Sequence, residues 1–254
     1  MTLFRRLVAS ISLWAACTSS CVFADDSIRL YFEPLAPLIN DDGKSGQLVD
    51  ALKEIELRSG IKIDSQVMPY NRSFRKIEDN EPVASVPYLI EAMSPKSLEK
   101  IQTSVPIAFR ISLIWARDGV AFPNSLADIK QHTIASADSA RLPPSLEQAK
   151  GLRIIRTYDI KSAIHILKRG RADIFINDYA TTKAAITAEE ADNISYDPHG
   201  FRFTEPATII YAHSVEKRLI DKIDQAIISM AKDGTLLKLM PHSFVKDYSP
   251  YFRK

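Results

Sequence analysis

Glycine is scarce, with eight residues in a chain of 254, and none falls into a GxGxxG or GxxxxGKS/T spacing. A backbone that closes on a pyrophosphate needs glycine at those spacings, so the common phosphate-cradling loops are excluded. Cysteine is scarcer: Cys17 and Cys21 are the only two. Both lie in a segment that reads as a leader, so disulfide staples, thiol nucleophiles and cysteine-based metal sites are excluded from the rest. The five histidines (His132, His165, His199, His213, His242) share no HxxxH or HExxH spacing, which argues against a metal site, and no cofactor is expected. A GxSxG nucleophile elbow is also missing. A surplus of one charge is missing too. The chain has 33 Lys plus Arg against 31 Asp plus Glu, and removing Arg5 and Arg6 with the leader leaves 31 against 31. Without a basic excess there is no counterion-release drive toward nucleic acid.

What is present is a core-forming composition, 46% hydrophobic with 25% charged, enough for a chain of this length to fold without staples. Residues 1–24 read as a secretory signal: Arg5 and Arg6, then the apolar stretch Leu7–Ala16, then Val22-Phe23-Ala24 before Asp25-Asp26. That apolar stretch falls far short of the roughly 20 residues of a spanning helix. Trp14 and Thr18 stand where a lipoprotein site at Cys17 or Cys21 would carry an aliphatic residue. Cleavage and a periplasmic location in a Gram-negative host are expected.

Two stretches then alternate strand and helix in the same order. The first reads Ser27–Phe32 (strand), Gln47–Ser59 (helix), Ile61–Val67 (strand), Asn71–Asp79 (helix) and Val83–Val86 (strand). Leu48, Ala51, Leu52 and Ile55 give its first helix a three-four apolar spacing, and Gly60 is placed to end it. The second reads Thr133–Ser136, Pro143–Lys150, Leu152–Tyr158, Ile160–Arg169 and Asp173–Asn177, with Asp159 as an N-cap and Gly170 as a stop. Strands separated by helices predict parallel sheets, and two such units predict two lobes rather than one continuous sheet. A strand Thr208–Ala212 follows, then an amphipathic helix with Ser214 as its cap and Leu219, Ile220, Ile223, Ala226, Ile227 and Met230 on its core face.

Ligands of open parallel sheets sit beyond the carboxyl ends of the strands. That rule selects Phe32 and Glu33, then Pro69, Tyr70, Asn71 and Arg72, then Pro87 and Tyr88 in the first unit. In the second it selects Ala137, Asp138 and Ser139, then Asn177 and Asp178. Singly, each of these reads equally well as a cap or a packing residue. Together they mix aromatic with charged groups, as a pocket for a small polar ligand does.

Several fragments occur in a telling order: Asp42-Gly43-Lys44-Ser45-Gly46 leading into Leu48-Val49-Asp50-Ala51-Leu52, then Met68-Pro69-Tyr70-Asn71-Arg72, then Thr103-Ser104-Val105-Pro106. Ser125-Leu126-Ala127-Asp128-Ile129-Lys130, Gly170-Arg171-Ala172-Asp173-Ile174-Phe175-Ile176-Asn177-Asp178 and Lys232-Asp233-Gly234-Thr235 follow. In these the chain resembles the extracellular solute-binding proteins of family 3, known as receptors of amino-acid ABC importers. The resemblance implies an α/β fold of the two-lobed type II periplasmic-binding-protein kind, each lobe a mainly parallel sheet flanked by helices. Residues 25–110 plus 209–254 would form lobe 1 and 111–208 lobe 2, with hinge strands near Phe109–Arg117 and Phe203–Tyr211.

The resemblance also implies a non-enzymatic monomer that captures a small-molecule ligand for an inner-membrane ABC permease. A sensory protein of the same fold signalling to a membrane partner is the alternative, and a periplasmic dehydratase-like enzyme a more distant one. Asp178 matches the family's ammonium-binding aspartate. The carboxylate-gripping Arg of the family's Thr-x-x-Arg motif is absent; the segment reads Ser94-Pro95-Lys96-Ser97-Leu98. Lys96 or Arg72 would have to take that role, without the bidentate geometry of a guanidinium fork in the case of Lys96. The expected ligand-binding set is Phe32, Glu33, Tyr70, Arg72, Tyr88, Lys96, Ser139 and Asp178, and the expected ligand is small and polar, amino-acid-like or bearing an amine or other cationic or polar head.

Overall fold

The structure, a computed structural model, describes residues 26–138 and 142–251. The leader 1–24 and Ser139 lie outside the described residues.

The first unit runs β1 (Ser27–Phe32), α1 (Gln47–Ser59), β2 (Lys62–Val67), α2 (Tyr70–Glu78) and β3 (Val83–Leu89). A short α3 (Pro95–Leu98) and β4 (Gln102–Thr103) lead to the long β5 (Ala108–Arg117). The second unit runs α4 (Leu126–Ile129), β6 (Thr133–Ala137), α5 (Pro144–Glu147), β7 (Arg153–Thr157), α6 (Ile160–Lys168), β8 (Ile174–Asp178) and α7 (Tyr179–Ala188). After β9 (Ile194–Tyr196) the chain returns through β10 (Arg202–Tyr211) to α8 (Lys217–Lys232) and α9 (Thr235–Leu239).

Local chemistry accounts for most boundaries. Helix α1 buries Leu48, Val49, Ala51, Leu52 and Ile55 and stops at Gly60, whose φ of +68° lets its N–H reach Glu56 O. Asp159 caps α6 by accepting from Ser162 N at 2.8 Å. Two expectations need correction. The helix expected over Pro143–Lys150 is only the single turn α5, with Gly151 in the left-handed region just beyond it. Ser214 does not cap α8: the helix starts three residues later, with no side-chain cap, and Ser214 N instead donates to Asn80 Oδ1 at 2.7 Å.

β1 is parallel to β2 and β3, and β6 is parallel to β7 and β8. β5 and β10 pair antiparallel from Arg202↔Leu113 to Ala207↔Ala108. β10 also pairs with β3, and β5 with β8. The two units therefore do not carry separate sheets. One ladder path runs β2-β1-β3-β10-β5-β8-β6-β7, because the crossing strands satisfy their outer edges on the neighbouring unit.

The apolar core, by contrast, divides. One set of clusters draws on residues 28–109 and 207–248, the other on residues 113–194. Ile111 packs against both sides. Phe244, Tyr248 and Tyr251 ring Phe109 at centroid distances of 5.5, 6.1 and 5.0 Å. The C-terminal segment is thus tied to the first unit.

Candidate functional site

Gly46 shapes one wall of the site. At its φ of +127° a Cβ would stand 2.4 Å from Leu38 O, so only glycine permits the approach. Gln47 N and Leu48 N then donate to Pro37 O and Leu38 O at 3.1 and 2.9 Å. This holds the loop Leu35–Leu38 against the start of α1. With Pro87 and Leu89 at the end of β3, the crossing strands, and the N-terminus of α7, the loop encloses an inner cavity of about 310 Å³.

An outer cleft of about 910 Å³ opens from it, sharing Tyr70, Pro87, Leu89 and Arg110. Its first-unit wall includes Asn71, Phe74, Tyr88, Glu91, Ser94 and Ser97, and its second-unit wall Leu142, Pro144, Glu147 and Gln148. On the far side, Tyr179 stacks on His242 at 4.8 Å and, with Ile111, separates the inner cavity from a rear groove of about 420 Å³. The cavities lie at the carboxyl ends of β1, β3 and β8, as the open-sheet rule requires.

Tyr70 and Tyr88 meet edge to face at 5.3 Å. Tyr88 OH donates to Tyr70 O at 3.2 Å, and Ser85 Oγ, 3.0 Å from Ser73 Oγ, donates to Tyr31 O. Burial pushes both phenol pKa values up, so both hydroxyls keep their protons at neutral pH. Tyr70 OH is buried and has no hydrogen-bond partner, and the same holds for Gln47 Oε1, which also lines the inner cavity. Glu33 Oε2 accepts from Tyr70 N at 3.3 Å, a backbone contact that orders the start of α2.

Asp178 lines the inner cavity while capping α7: it accepts from Thr181 N at 3.0 Å and from Thr181 Oγ1 at 2.5 Å. Four expected residues line neither cavity, Glu33 among them, its carboxylate engaged with Tyr70 N. Phe32 is fully buried in the first core, because β1 is covered on both faces and its last side chain turns inward. Arg72 and Lys96 are exposed on α2 and α3 and line neither cavity.

The charged pair at the junction of the two cavities was not anticipated. Arg110 on β5 and Glu205 on β10 are register partners. Arg110 Nε donates to Glu205 Oε2 at 2.6 Å and Nη2 to Oε1 at 2.7 Å. The Glu205 side chain is 4% exposed. Burial raises its pKa, Arg110 opposes that rise, and Glu91 and Glu147 add to it. The sequence signal was available: Arg110 lies within one apolar segment expected to cross and Glu205 is the single charge within the other. Among the described residues no cluster of His, Asp and Glu could hold a metal ion, and no helix is long and apolar enough to cross a membrane.

No family model and no curated protein matches the sequence. Solved structures do. The L-cystine solute receptor of Neisseria gonorrhoeae, in its unliganded open conformation, is similar at TM-score 0.64 and 18% identity, covering 85% of this chain and 92% of that one. The second substrate-binding domain of a protein described as an amino acid ABC transporter from Streptococcus pneumoniae is similar at 0.64 and 14%, covering 87% and 100%. A histidine kinase sensor domain with similarity to periplasmic binding proteins follows at 0.57 and 15%, covering 85% and 94%. Identities this low carry the fold and not the ligand. The chain has the two-lobed periplasmic-binding-protein-like α/β fold of the extracellular solute-binding proteins.

Proposed function

We propose that this protein is a periplasmic solute-binding protein that captures a small amine-bearing ligand between two hinged lobes and delivers it to an ABC-type importer. The observation that carries the reading is the position of the cavities. They open at the strand carboxyl ends of both units and are floored by the two crossing strands, where a hinge movement would close them. Lobe 1 is residues 25–110 and 209–254, lobe 2 is residues 111–208, and the bending falls at Ile111 and its neighbours on β5 and β10. Asp178, on the wall of the inner cavity, adds negative charge that favours a ligand amine, and Tyr70 and Tyr88 face the ligand's body. Residues 1–24 are the export signal, and mass spectrometry of the secreted protein should find Asp25 at the N-terminus.

The test is a thermal-shift screen of amines, amino acids and small peptides, followed by small-angle scattering of any hit. A ligand at a hundred times its Kd adds about 2.7 kcal/mol of stability and should compact the particle. A stabilising ligand that leaves the scattering unchanged defeats the two-lobe closure. A panel in which nothing stabilises the protein defeats the reading as a whole. The likeness to a histidine kinase sensor domain favours a second reading, in which the closed form signals to a membrane partner. Copurification with a permease or with a sensor kinase separates the two.

A further inference from the structure

The two cavities differ in chemistry, and the difference narrows the ligand class. The inner one is walled chiefly by apolar side chains, among them Leu35, Pro37, Leu89, Phe109 and Ile111. A fully polar ligand would lose its water there and find few partners. Two buried polar atoms in this wall lack partners, Gln47 Oε1 and Tyr70 OH. The first can only accept and the second can donate or accept, so they call for a ligand group bearing an N–H or O–H.

The charged groups described around these cavities are predominantly acidic. Across both cavities the described lining carboxylates are Glu91, Glu147 and Asp178, and Glu205 stands behind them on Arg110. Arg110 is the single Lys or Arg among the described lining residues of these two cavities. Among the described lining residues three carboxylates stand against one guanidinium, a formal charge of −2, and Glu205 neutralises that guanidinium from behind. Arg110 already spends Nε and Nη2 on Glu205, and that carboxylate offsets the guanidinium charge, so a ligand carboxylate beside the pair meets no net positive charge. Glu91 from the first unit and Glu147 from the second line the same outer cleft, and both act on Glu205.

We propose that the ligand is an amine with an apolar body and no carboxylate, its body in the inner chamber against Gln47 and Tyr70 and its ammonium in the outer cleft between Glu91 and Glu147. This rests on the solute-binding reading above and deepens it. The expected ligand is then neither an α-amino acid nor a simple polyamine. A ring or branched chain bearing one N–H or O–H meets the two orphaned polar atoms, and the ammonium is held by carboxylates from both lobes, which favours closure.

The experiment is calorimetry on the secreted full-length mature protein with four probes that share or lack one feature. Tryptamine has the apolar body, its N–H and the ammonium. Tryptophan adds a carboxylate, indole-3-propionate has the carboxylate without the amine, and 1,5-diaminopentane has cations without the body. Tryptamine should bind at least tenfold more tightly than each of the others. Glu91→Gln and Glu147→Gln are exposed substitutions that should not lower the melting temperature of the free protein and should weaken tryptamine at least threefold each. Tryptophan, indole-3-propionate or diaminopentane binding as tightly as tryptamine overturns the proposal, as does tryptamine binding indifferent to both glutamates. If tryptamine fails while another member of a wider panel binds and compacts the particle, the ligand class is wrong and the solute-binding reading stands. If nothing in that panel stabilises the protein, both fall.

Discussion

Removing the guanidinium from the Arg110–Glu205 pair should uncover how much the crossing strands depend on it. In Arg110→Met the Glu205 carboxylate stays on β10, 4% exposed, with Glu91 and Glu147 still acting on it. Breaking a buried ion pair from one side costs about 3–5 kcal/mol, because the remaining charge is left without compensation. The Arg110 side chain is 28% exposed, so some solvent reaches the pair, and the lower end, about 3 kcal/mol, is expected. For a chain of this size that is a fall in Tm of roughly 6–12 °C.

The loss should depend on pH. Glu205 holds its proton more tightly in the folded than in the unfolded state, because burial raises its pKa above the usual 4.5. A carboxyl of that kind makes stability fall as pH rises from the unfolded value through the folded one. Without Arg110 the folded value moves further up, so the penalty should be small at pH 5 and full at pH 8. The double variant Arg110→Met with Glu205→Leu removes both charges and should recover most of the stability, since apolar replacement of a whole buried pair is close to neutral. Differential scanning calorimetry at the two pH values reads all three proteins. A double variant as unstable as the single one, or a single variant equally destabilised at pH 5 and pH 8, refutes the reasoning.

Three other outcomes are expected. Asp178→Ala should lose about 1 kcal/mol of stability with the α7 cap, and amine affinity should fall tenfold or more, about 1.4 kcal/mol. Asp178→Ser keeps the cap, so its stability should return while the affinity does not; recovery of both would mean that Asp178 only caps the helix. Gly46→Ala should cost about 2 kcal/mol or more through the strained φ and the collision with Leu38 O, and urea titration showing an unchanged midpoint would contradict this. Hydrogen bonds from Thr235 and the Arg58 guanidinium push the Asp233 pKa down to about 2, so its contribution is present above pH 3.8 and lost as pH falls toward 2. Asp233→Asn should therefore flatten the Tm-versus-pH curve between pH 4 and pH 2, and a curve of wild-type slope would show that the interaction carries no stability.

Local chemistry was legible in the linear chain where a residue acts on its near neighbours. Gly60 stops α1 and Asp159 caps α6 because the groups they satisfy lie within four residues. The apolar spacing of α1 and α8 likewise marked their core faces, since a helix repeats its contacts every three to four residues. The order of strands and helices could be read for the same reason, whereas the crossing segments near residues 109–117 and 203–211 followed from the family resemblance. Only tertiary structure decided which of the strand-end residues share a cavity. Phe32 and Glu33 are adjacent, yet one closes β1 inside the core and the other lies just past the strand end, where it contacts Tyr70 N. Arg72 and Lys96 sit near the right segments but on the solvent side of their short helices. The pairing of Arg110 with Glu205, 95 residues apart, depends on the antiparallel register of two crossing strands. A register is set by every rung of the ladder and the cores on either side, and no local pattern in either strand encodes it.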